Sequence, residues 1–154
     1  MRRTLPLLAL LFFISLSTQV FGQSLVIETL DSYNKMGMTE FQNEVKKMNF
    51  KLSDKTQSAD FVLNEYEHPT YKFKLSKFEY IKDKSQNRIE FEFNNLHDYK
   101  KYMEALQRGG YKETEKGKTI TKEPYVDYYK GKQHIRMVLP KENQSAPYSI
   151  LVFK

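Results

Sequence analysis

Alternation of apolar and charged residues is the clearest pattern in the chain, and it predicts antiparallel β-strands. In residues 88–93 (RIEFEF) three apolar side chains alternate with three charged ones, as expected for a strand with one buried face. The sequence Lys130-Gly131-Lys132-Gln133 predicts a hairpin turn. Further strands are predicted, with a bulge or tight turn at Ser76-Lys77, over residues 61–66, 71–81, 125–129, 134–139 and 148–153.

Apolar residues at helical spacing predict a first amphipathic helix. Phe41 and Val45 lie four positions apart and therefore share one helical face. Thr39 and Gln42 form a candidate capping box at the start of this helix. Asn49 suits a left-handed stop at its end.

The same features recur some sixty residues later and predict a second helix. Tyr102 and Leu106 repeat the four-residue spacing on one face. Asn95 is a candidate cap with Asp98 at the third position, and Gly109-Gly110 is a strong stop signal.

Four other stretches have weaker patterns. Residues 24–31 fit the alternation of a strand and the spacing of a helix equally well. Residues 53–59 are predicted as a polar loop, and residues 112–118 are polar without a clear period. Residues 119–121 are predicted as a weak strand.

The two helices, each followed by strands, suggest an internal duplication. Similar residues recur at offsets of 61 (Phe41/Tyr102, Phe50/Tyr111), 57 (Leu63/Ile120, Tyr71/Tyr128, Ile81/Val138) and 60 (Phe91/Leu151, Phe93/Phe153). We therefore predict an α+β fold with two tandem helix-plus-antiparallel-strand repeats, over residues 39–94 and 95–154. The repeats are expected to form one continuous sheet with both helices on one face.

The first 22 residues have the pattern of a secretory signal peptide. Arg2 and Arg3 precede an apolar run over residues 5–16, and cleavage is predicted near Gly22-Gln23. Removing these 22 of the 154 residues leaves 132, which suits a single exported α+β domain over residues 23–154. We expect it in the periplasm or outside the cell, with no membrane span after cleavage.

Composition narrows the classes of function. The signal segment contains two arginines and no acids, so cleavage lowers the net charge from +6 to +4. Lysines and acids are interleaved, which is typical of a solvated surface and argues against nucleic acid as a partner. The chain has no cysteine, which excludes disulfides and thiol chemistry and favours a bacterial exported protein.

No pattern in the sequence indicates a catalytic or metal site. The motifs G-x-S-x-G, H-E-x-x-H and C-x-x-C are absent, and His68, His97 and His134 fall in different elements. Glu90 and Glu92 lie on one strand about 7 Å apart, and we expect them to pair with basic residues of neighbouring strands. The sequence therefore gives no catalytic residue, no metal and no cofactor, and favours a non-enzymatic role.

The sheet face opposite the predicted helices, the open face, is the candidate interaction surface. Arginine and tyrosine are enriched at protein interfaces. The candidate binding residues are Lys72, Lys74, Arg88, His134, Arg136, Tyr66, Tyr125 and Tyr129. The first hypothesis is an exported binding module that presents this face to a protein or peptide partner. The sequence gives no indication of oligomeric state.

Two alternative functions stay open. A small-ligand or lipid carrier predicts a cavity above about 300 Å³. Phe73, Phe91, Phe93 and Tyr148 would line it. A hydrolase without a recognisable motif predicts a histidine within hydrogen-bond reach of a carboxylate in a cleft. In architecture only, the two repeats resemble the layout of secreted β-lactamase-inhibitor proteins and PepSY-like periplasmic modules, a resemblance that implies no activity and no site residue.

Overall fold

The computed structural model describes residues 25–154, and the predicted signal peptide lies outside them. Within these residues the fold is α+β, with three α-helices and one antiparallel sheet of eight strands. The helices are α1 (Ile27–Lys35), α2 (Met38–Lys47) and α3 (Leu96–Arg108), with a short 3-10 turn at Lys84–Gln86. The strands are β1 (Lys51–Gln57), β2 (Phe61–Glu67), β3 (Lys74–Tyr80), β4 (Arg88–Phe93), β5 (Lys112–Lys118), β6 (Pro124–Lys130), β7 (Gln133–Val138) and β8 (Tyr148–Phe153).

The sheet is organised around its two central strands. The strand order is β1-β2-β3-β4-β8-β7-β6-β5, so that each half of the chain contributes a four-strand meander. The halves meet where β4 pairs with β8, from Arg88 opposite Phe153 to Phe93 opposite Tyr148. The edges of the sheet are β1 and β5.

The core lies against one set of alternating strand positions. On β4, which has the bounds predicted from the sequence, Ile89, Phe91 and Phe93 are buried and the residues between them are partly exposed. The ring of Phe93 packs 5.2 Å from that of Tyr102 on α3. Other core residues are Leu30, Phe41, Val45, Leu75, Leu106, Ile135, Met137, Tyr148, Ile150 and Val152.

Helix α1 occupies the stretch whose sequence pattern fitted two structures. Its Asn34 amide donates to the backbone oxygens of Asn87 (3.3 Å) and Val152 (2.9 Å), which ties the helix to β8 and to the residue just before β4. Lys77 Nζ donates to the carbonyl oxygens of Tyr33 (3.0 Å) and Asn34 (3.1 Å) at its end. Among the helices of residues 25–154, none is long and apolar enough to cross a membrane.

The predicted turn and cap signals are largely confirmed. Asn95 caps α3 by accepting a hydrogen bond from the backbone N–H of Asp98 at 2.7 Å. Asn49 and Gly110 end α2 and α3 with left-handed φ values of 64° and 75°. Gly131, with a φ of 60°, forms the hairpin turn between β6 and β7.

Two local predictions are wrong. Thr39 and Gln42 form no capping box, because α2 begins at Met38 after Gly37 and has no side-chain cap. β3 runs without the bulge predicted at Ser76-Lys77, and its ladders with β2 and β4 are regular there. The lysine that suggested an interruption is fully buried within the strand.

The two edge strands lie in stretches that were predicted as a polar loop (residues 53–59) or left without an assignment (residues 112–118). All residues of β1 and nearly all of β5 are exposed, so neither shows the alternation that marks a half-buried strand. Residues 119–121, predicted as a strand, form the turn between β5 and β6. The predicted equivalence of Leu63 and Ile120 is therefore wrong, as is that of Phe91 and Leu151, since Phe91 is buried and Leu151 lies on the other side of the sheet.

Candidate functional site

One face of the sheet carries the charged and aromatic side chains that alternate with the buried core residues. On the central strands these are Arg88, Glu90 and Glu92, opposite Phe153, Leu151 and Ser149. All six are partly exposed. We refer to this side of the sheet as the polar face.

A groove of about 630 Å³ runs along the polar face. Strands β4, β7 and β8 form its floor, and the turn between β5 and β6 forms one wall. Arg88, Tyr125 and Arg136 line it, together with Phe153 and Ile120. Its volume falls in the range of roughly 300–1,000 Å³ that is typical of ligand sites.

Arg136 is held rigidly beside this groove. Its guanidinium donates two parallel hydrogen bonds to Asp127, from Nε to Oδ1 at 2.7 Å and from Nη2 to Oδ2 at 2.8 Å. It also lies 3.7 Å from the centroid of the Tyr125 ring. Burial acts to raise the pKa of the Asp127 carboxyl, but the hydrogen bonds and charge of Arg136, together with His134, outweigh it and hold that pKa below its usual value. The guanidinium is therefore fixed and charged.

Arg88 on β4 forms a similar cluster on the polar face, with side chains of the neighbouring strand β3. Its Nε donates to Glu90 Oε1 at 2.6 Å, and its Nη1 donates to the Tyr80 hydroxyl at 2.9 Å. The guanidinium lies 3.9 Å from the centroid of the Phe78 ring. Two arginines, each bound to a carboxylate and stacked on an aromatic ring, thus flank the middle of the polar face.

His134 provides the contact that the hydrolase alternative predicts, but without a catalytic setting. Its Nε2 lies 3.0 Å from Asp127 Oδ1, at an angle poor for a hydrogen bond. The imidazole is stacked between Tyr129 at 4.3 Å and Phe153 at 4.2 Å. Neither His134 nor Asp127 lines the groove, and among the described residues no histidine is hydrogen-bonded to a hydroxyl group. Among the described residues the pair thus has no hydroxyl group bound to it, and it lies outside the groove.

The structure brings six of the eight predicted binding residues to the polar face. Arg88, Tyr125 and Arg136 line the groove. His134 and Tyr129 lie beside it in the stack on Phe153. Lys74 forms an ion pair with Glu92 at 3.3 Å, which is the cross-strand pairing expected for that glutamate.

The other two predicted binding residues lie elsewhere. Tyr66 is completely buried, with its ring 5.5 Å from that of Phe41 on α2. It pairs with the buried Leu75 in the ladder and so belongs to the core side of the sheet. Lys72 is in the turn before β3, with a left-handed φ of 58°, and its Nζ lies 3.1 Å from Glu67 Oε1. Lys72 lies off the predicted face because β3 starts later than the alternation suggested, and Tyr66 because the register of β2 differs from the one assumed.

The sequence reasoning missed Asp127, although a usable signal was present. The predicted hairpin turn after Lys130 fixes the register of β6 and β7, and counting back from it sets Asp127 opposite Arg136. Phe153 was assigned to a strand but not to the polar face. Ile120 was missed because it was assigned to a strand instead of a turn.

The turn between β5 and β6 is fixed by Glu123. Its Oε2 accepts hydrogen bonds from the hydroxyl groups of Thr119 and Thr121, and its Oε1 lies 3.1 Å from Lys141 Nζ. The two threonine hydroxyls are the main cause that lowers the pKa of Glu123 to about 2. The turn therefore holds the fully exposed Ile120 at the wall of the groove.

The aromatic residues named for a carrier cavity pack against one another instead. Phe73 and Phe91 lie 5.5 Å apart, and Phe93 lies 5.8 Å from Tyr148, measured between ring centroids. The cavity that touches Phe73 and Phe91 measures about 50 Å³. That is far below the roughly 300 Å³ expected of a ligand site.

The groove on the polar face is the candidate site, because it brings Arg88, Tyr125 and Arg136 together. In the part of the chain that the structure describes, no three His, Asp or Glu side chains are arranged to hold a metal ion. The charged groups of the polar face pair mainly with one another.

No protein-family model matches this chain, and no curated protein or solved structure matches it.

Proposed function

We propose that this protein is an exported, non-enzymatic module that binds a protein or peptide partner on the polar face of its sheet. The observation that carries the proposal is the groove of about 630 Å³ with Arg88 and Arg136 in its lining. Arginine and aromatic residues supply much of the binding energy at protein interfaces. Since both guanidinium groups are already held by carboxylates, little side-chain entropy is lost when a partner binds.

The proposal takes the polar face to be the open face expected from the sequence, with α2 and α3 covering the other side. Contacts of both helices with core residues support this arrangement. Phe41 on α2 packs against Tyr66, whose strand neighbour Leu75 is buried. Tyr102 on α3 packs against Phe93.

We also infer that the two halves arose as tandem repeats. The ladders β1–β2 and β5–β6 each have an irregular step at the same place, and a hydroxyl bridges it in both. Ser53 Oγ donates to the carbonyl of Glu65 at 3.1 Å, and Thr114 Oγ1 donates to the carbonyl of Asp127 at 3.3 Å. Ser53 and Thr114 are 61 positions apart, which is the offset of the two helix ends.

The test is site-specific photo-crosslinking in the cells that produce the protein. A photoreactive amino acid is placed at Ser149, which lines the groove, or at the exposed Lys100 of α3 as the matched control. We expect one predominant protein to crosslink through position 149 and not through position 100. The same preparation should give Gln23 as the mature N-terminus.

The captured protein is then purified and its affinity is measured. Ser149→Arg fills the groove and should weaken binding at least tenfold without changing the thermal unfolding temperature, whereas Lys100→Glu should leave the affinity unchanged. The proposal fails if both positions give the same products, if position 149 gives none, or if Ser149→Arg binds as tightly as the wild type.

A further inference from the structure

We propose that the groove takes an uncharged segment of the partner, which inserts a large apolar side chain between Ile120 and the floor of the groove. The inference rests on the proposed function and adds the chemistry of the partner. Three features of the groove support it: its charges are matched within the protein, its floor is apolar, and its rim carries a fixed, exposed isoleucine.

The charged residues that line the groove are matched within the protein. Four ion pairs hold all but one of them: Arg88 with Glu90 at 2.6 Å, Lys74 with Glu92 at 3.3 Å, Lys141 with Glu123 at 3.1 Å and Arg136 with Asp127 at 2.7 Å. A charged ligand group placed among them would lose its hydration without gaining a free partner. The groove therefore favours an occupant without charge.

Lys118 is the remaining charged residue of the lining, and its side chain starts from the side of the sheet away from the groove. In the ladder it pairs with Pro124, one residue out of phase with Gly117, which lies opposite Tyr125. Tyr125 is on the polar face, where its ring contacts Arg136. Since successive strand residues point to opposite faces, Lys118 places no positive charge on the floor of the groove.

The floor of the groove offers apolar surface beside the ion pairs. Val138, Leu151 and Phe153 lie there on the polar face and are partly exposed. The floor strands β4, β7 and β8 have neighbours on both sides, so their backbone groups are used in the sheet and cannot pair with a peptide strand. Recognition therefore has to come from side chains, and those without a charged partner are mainly apolar.

Ile120 stands at the rim of the groove as a fixed apolar anchor. The backbone of its turn is closed by Thr119 N–H donating to the Glu123 carbonyl at 2.9 Å and by Lys122 N–H donating to the Thr119 carbonyl at 3.0 Å. Thr119 and Thr121 are further held by the Glu123 carboxylate. A fully exposed isoleucine in such a rigid turn can be buried by a partner at small entropic cost.

The test is a titration of the full mature protein with four heptapeptides, followed by NMR through the methyl signals of Ile120, Val138 and Leu151. The first peptide has a central leucine flanked by serines. The second and third have glutamates or lysines beside the leucine, and the fourth has serine in its place. The first should bind about tenfold more tightly than the other three. Its affinity should not fall as salt is added, because no ion pair forms.

Two variants and a matched control locate the contact. Ile120→Ser and Leu151→Asn should each weaken binding of the first peptide, by on the order of tenfold. Ile81→Ser removes an exposed isoleucine just after β3, in the other half of the sheet, and should have no effect. All three positions are at least partly exposed, so folding is expected to be retained and is checked by circular dichroism.

A further variant tests the matched charges directly. Glu90→Gln keeps an oxygen that can accept the hydrogen bond from Arg88, but it removes the negative charge that balances the guanidinium. The glutamate peptide should then bind several-fold more tightly than it binds the wild type, and the lysine peptide should not. Equal binding of the glutamate peptide to variant and wild type would show that the charge pairs do not select the occupant, and would overturn the inference.

The inference also fails if none of the peptides binds, if a charged peptide binds the wild type as tightly as the first does, or if Ile81→Ser loses as much affinity as Ile120→Ser. Methyl signals of Ile120 and Leu151 that shift with protein concentration alone would make the occupant a second copy of the chain. Binding to phosphatidylcholine vesicles that depends on Ile120, without binding of the first peptide, would make the turn a membrane contact. Either result overturns the inference. If a partner still crosslinks through Ser149, only the inference fails and the proposed function stands.

Discussion

Lys77 is the single side chain whose environment departs most from what its residue type suggests. It is completely buried, and its Nζ donates to the carbonyl oxygens of Tyr33 and Asn34 at the end of α1. A cation at this position interacts favourably with the helix dipole. Burial lowers the pKa of Lys77, and Glu79 at 3.5 Å opposes that effect only in part. The lysine therefore fixes the end of a helix that lies against the centre of the sheet.

We predict that Lys77→Met lowers the free energy of unfolding by about 1–3 kcal/mol at neutral pH, because two buried carbonyl groups lose their donor. The substitution should also remove the rise in stability with pH that Lys77 causes. The pKa of Lys77 in the folded state lies below its ordinary 10.5, so between these two values the unfolded chain binds more protons and stability rises with pH. Urea unfolding at neutral and alkaline pH measures both effects.

Lys74→Met is the matched control, since Lys74 is on the same strand but exposed on the polar face. It should change the free energy of unfolding by no more than roughly 0.2–1 kcal/mol, the contribution of an exposed ion pair. A Lys77→Met protein as stable as the wild type, with the same pH dependence, would show that the two carbonyl contacts contribute nothing.

At the scale of elements, the sequence predicted most of the strands and helices that bury one side. β4, β8 and α3 each alternate or repeat with a clear period, and their predicted and observed bounds agree closely. The edge strands β1 (KLSDKTQ) and β5 (KETEKGK) bury no side, so no period exists to be detected. The sequence also did not show how β2 and β3 are aligned, and for this reason Tyr66 was assigned to the wrong face.

The composition of the edge strands has a function of its own. An exposed strand edge can pair with another chain, and charged residues and irregular steps prevent this. β5 carries lysines and glutamates on both of its sides and has an irregular step between Glu113 and Glu115. β1 has an irregular step between Leu52 and Asp54 and carries the charged residues Lys51, Asp54 and Lys55. We therefore expect both edges to keep the sheet from extending.

We predict that the double variant Glu115→Val, Lys116→Val makes the protein associate through β5, because it removes charge from an unpaired edge and raises the β propensity there. Size-exclusion chromatography with light scattering should show oligomers that grow with concentration. Replacing the exposed Lys100 and Gln107 of α3 by valine adds the same apolar surface away from an edge. If this control associates equally, exposed valine and not the edge is responsible.

At the scale of the whole molecule, the two halves depend on one shared core. The buried pairs Ile89–Val152, Phe91–Ile150 and Phe93–Tyr148 lie where β4 meets β8. A unit of about sixty residues buries only about 60% of the surface that its unfolded chain exposes, so by itself it would be marginally stable. The sequence predicted this continuous sheet, but the offsets of 57 and 60 assigned to the second half did not match its strands. Loop lengths differ between the halves, and only the ladders fix which positions correspond.

A shared core predicts that the protein unfolds as one unit. Ile150 is completely buried between the halves, so Ile150→Ala should lower the free energy of unfolding by about 2–5 kcal/mol. The methyl signals of Val45 in α2 and Leu106 in α3 report the two halves separately in a urea titration followed by NMR. Both midpoints should fall together, whereas Ile120→Ala at the surface should leave both unchanged. If the Leu106 signal is lost at lower urea while that of Val45 stays at the wild-type midpoint, the halves are independent and residues 23–154 are not a single domain.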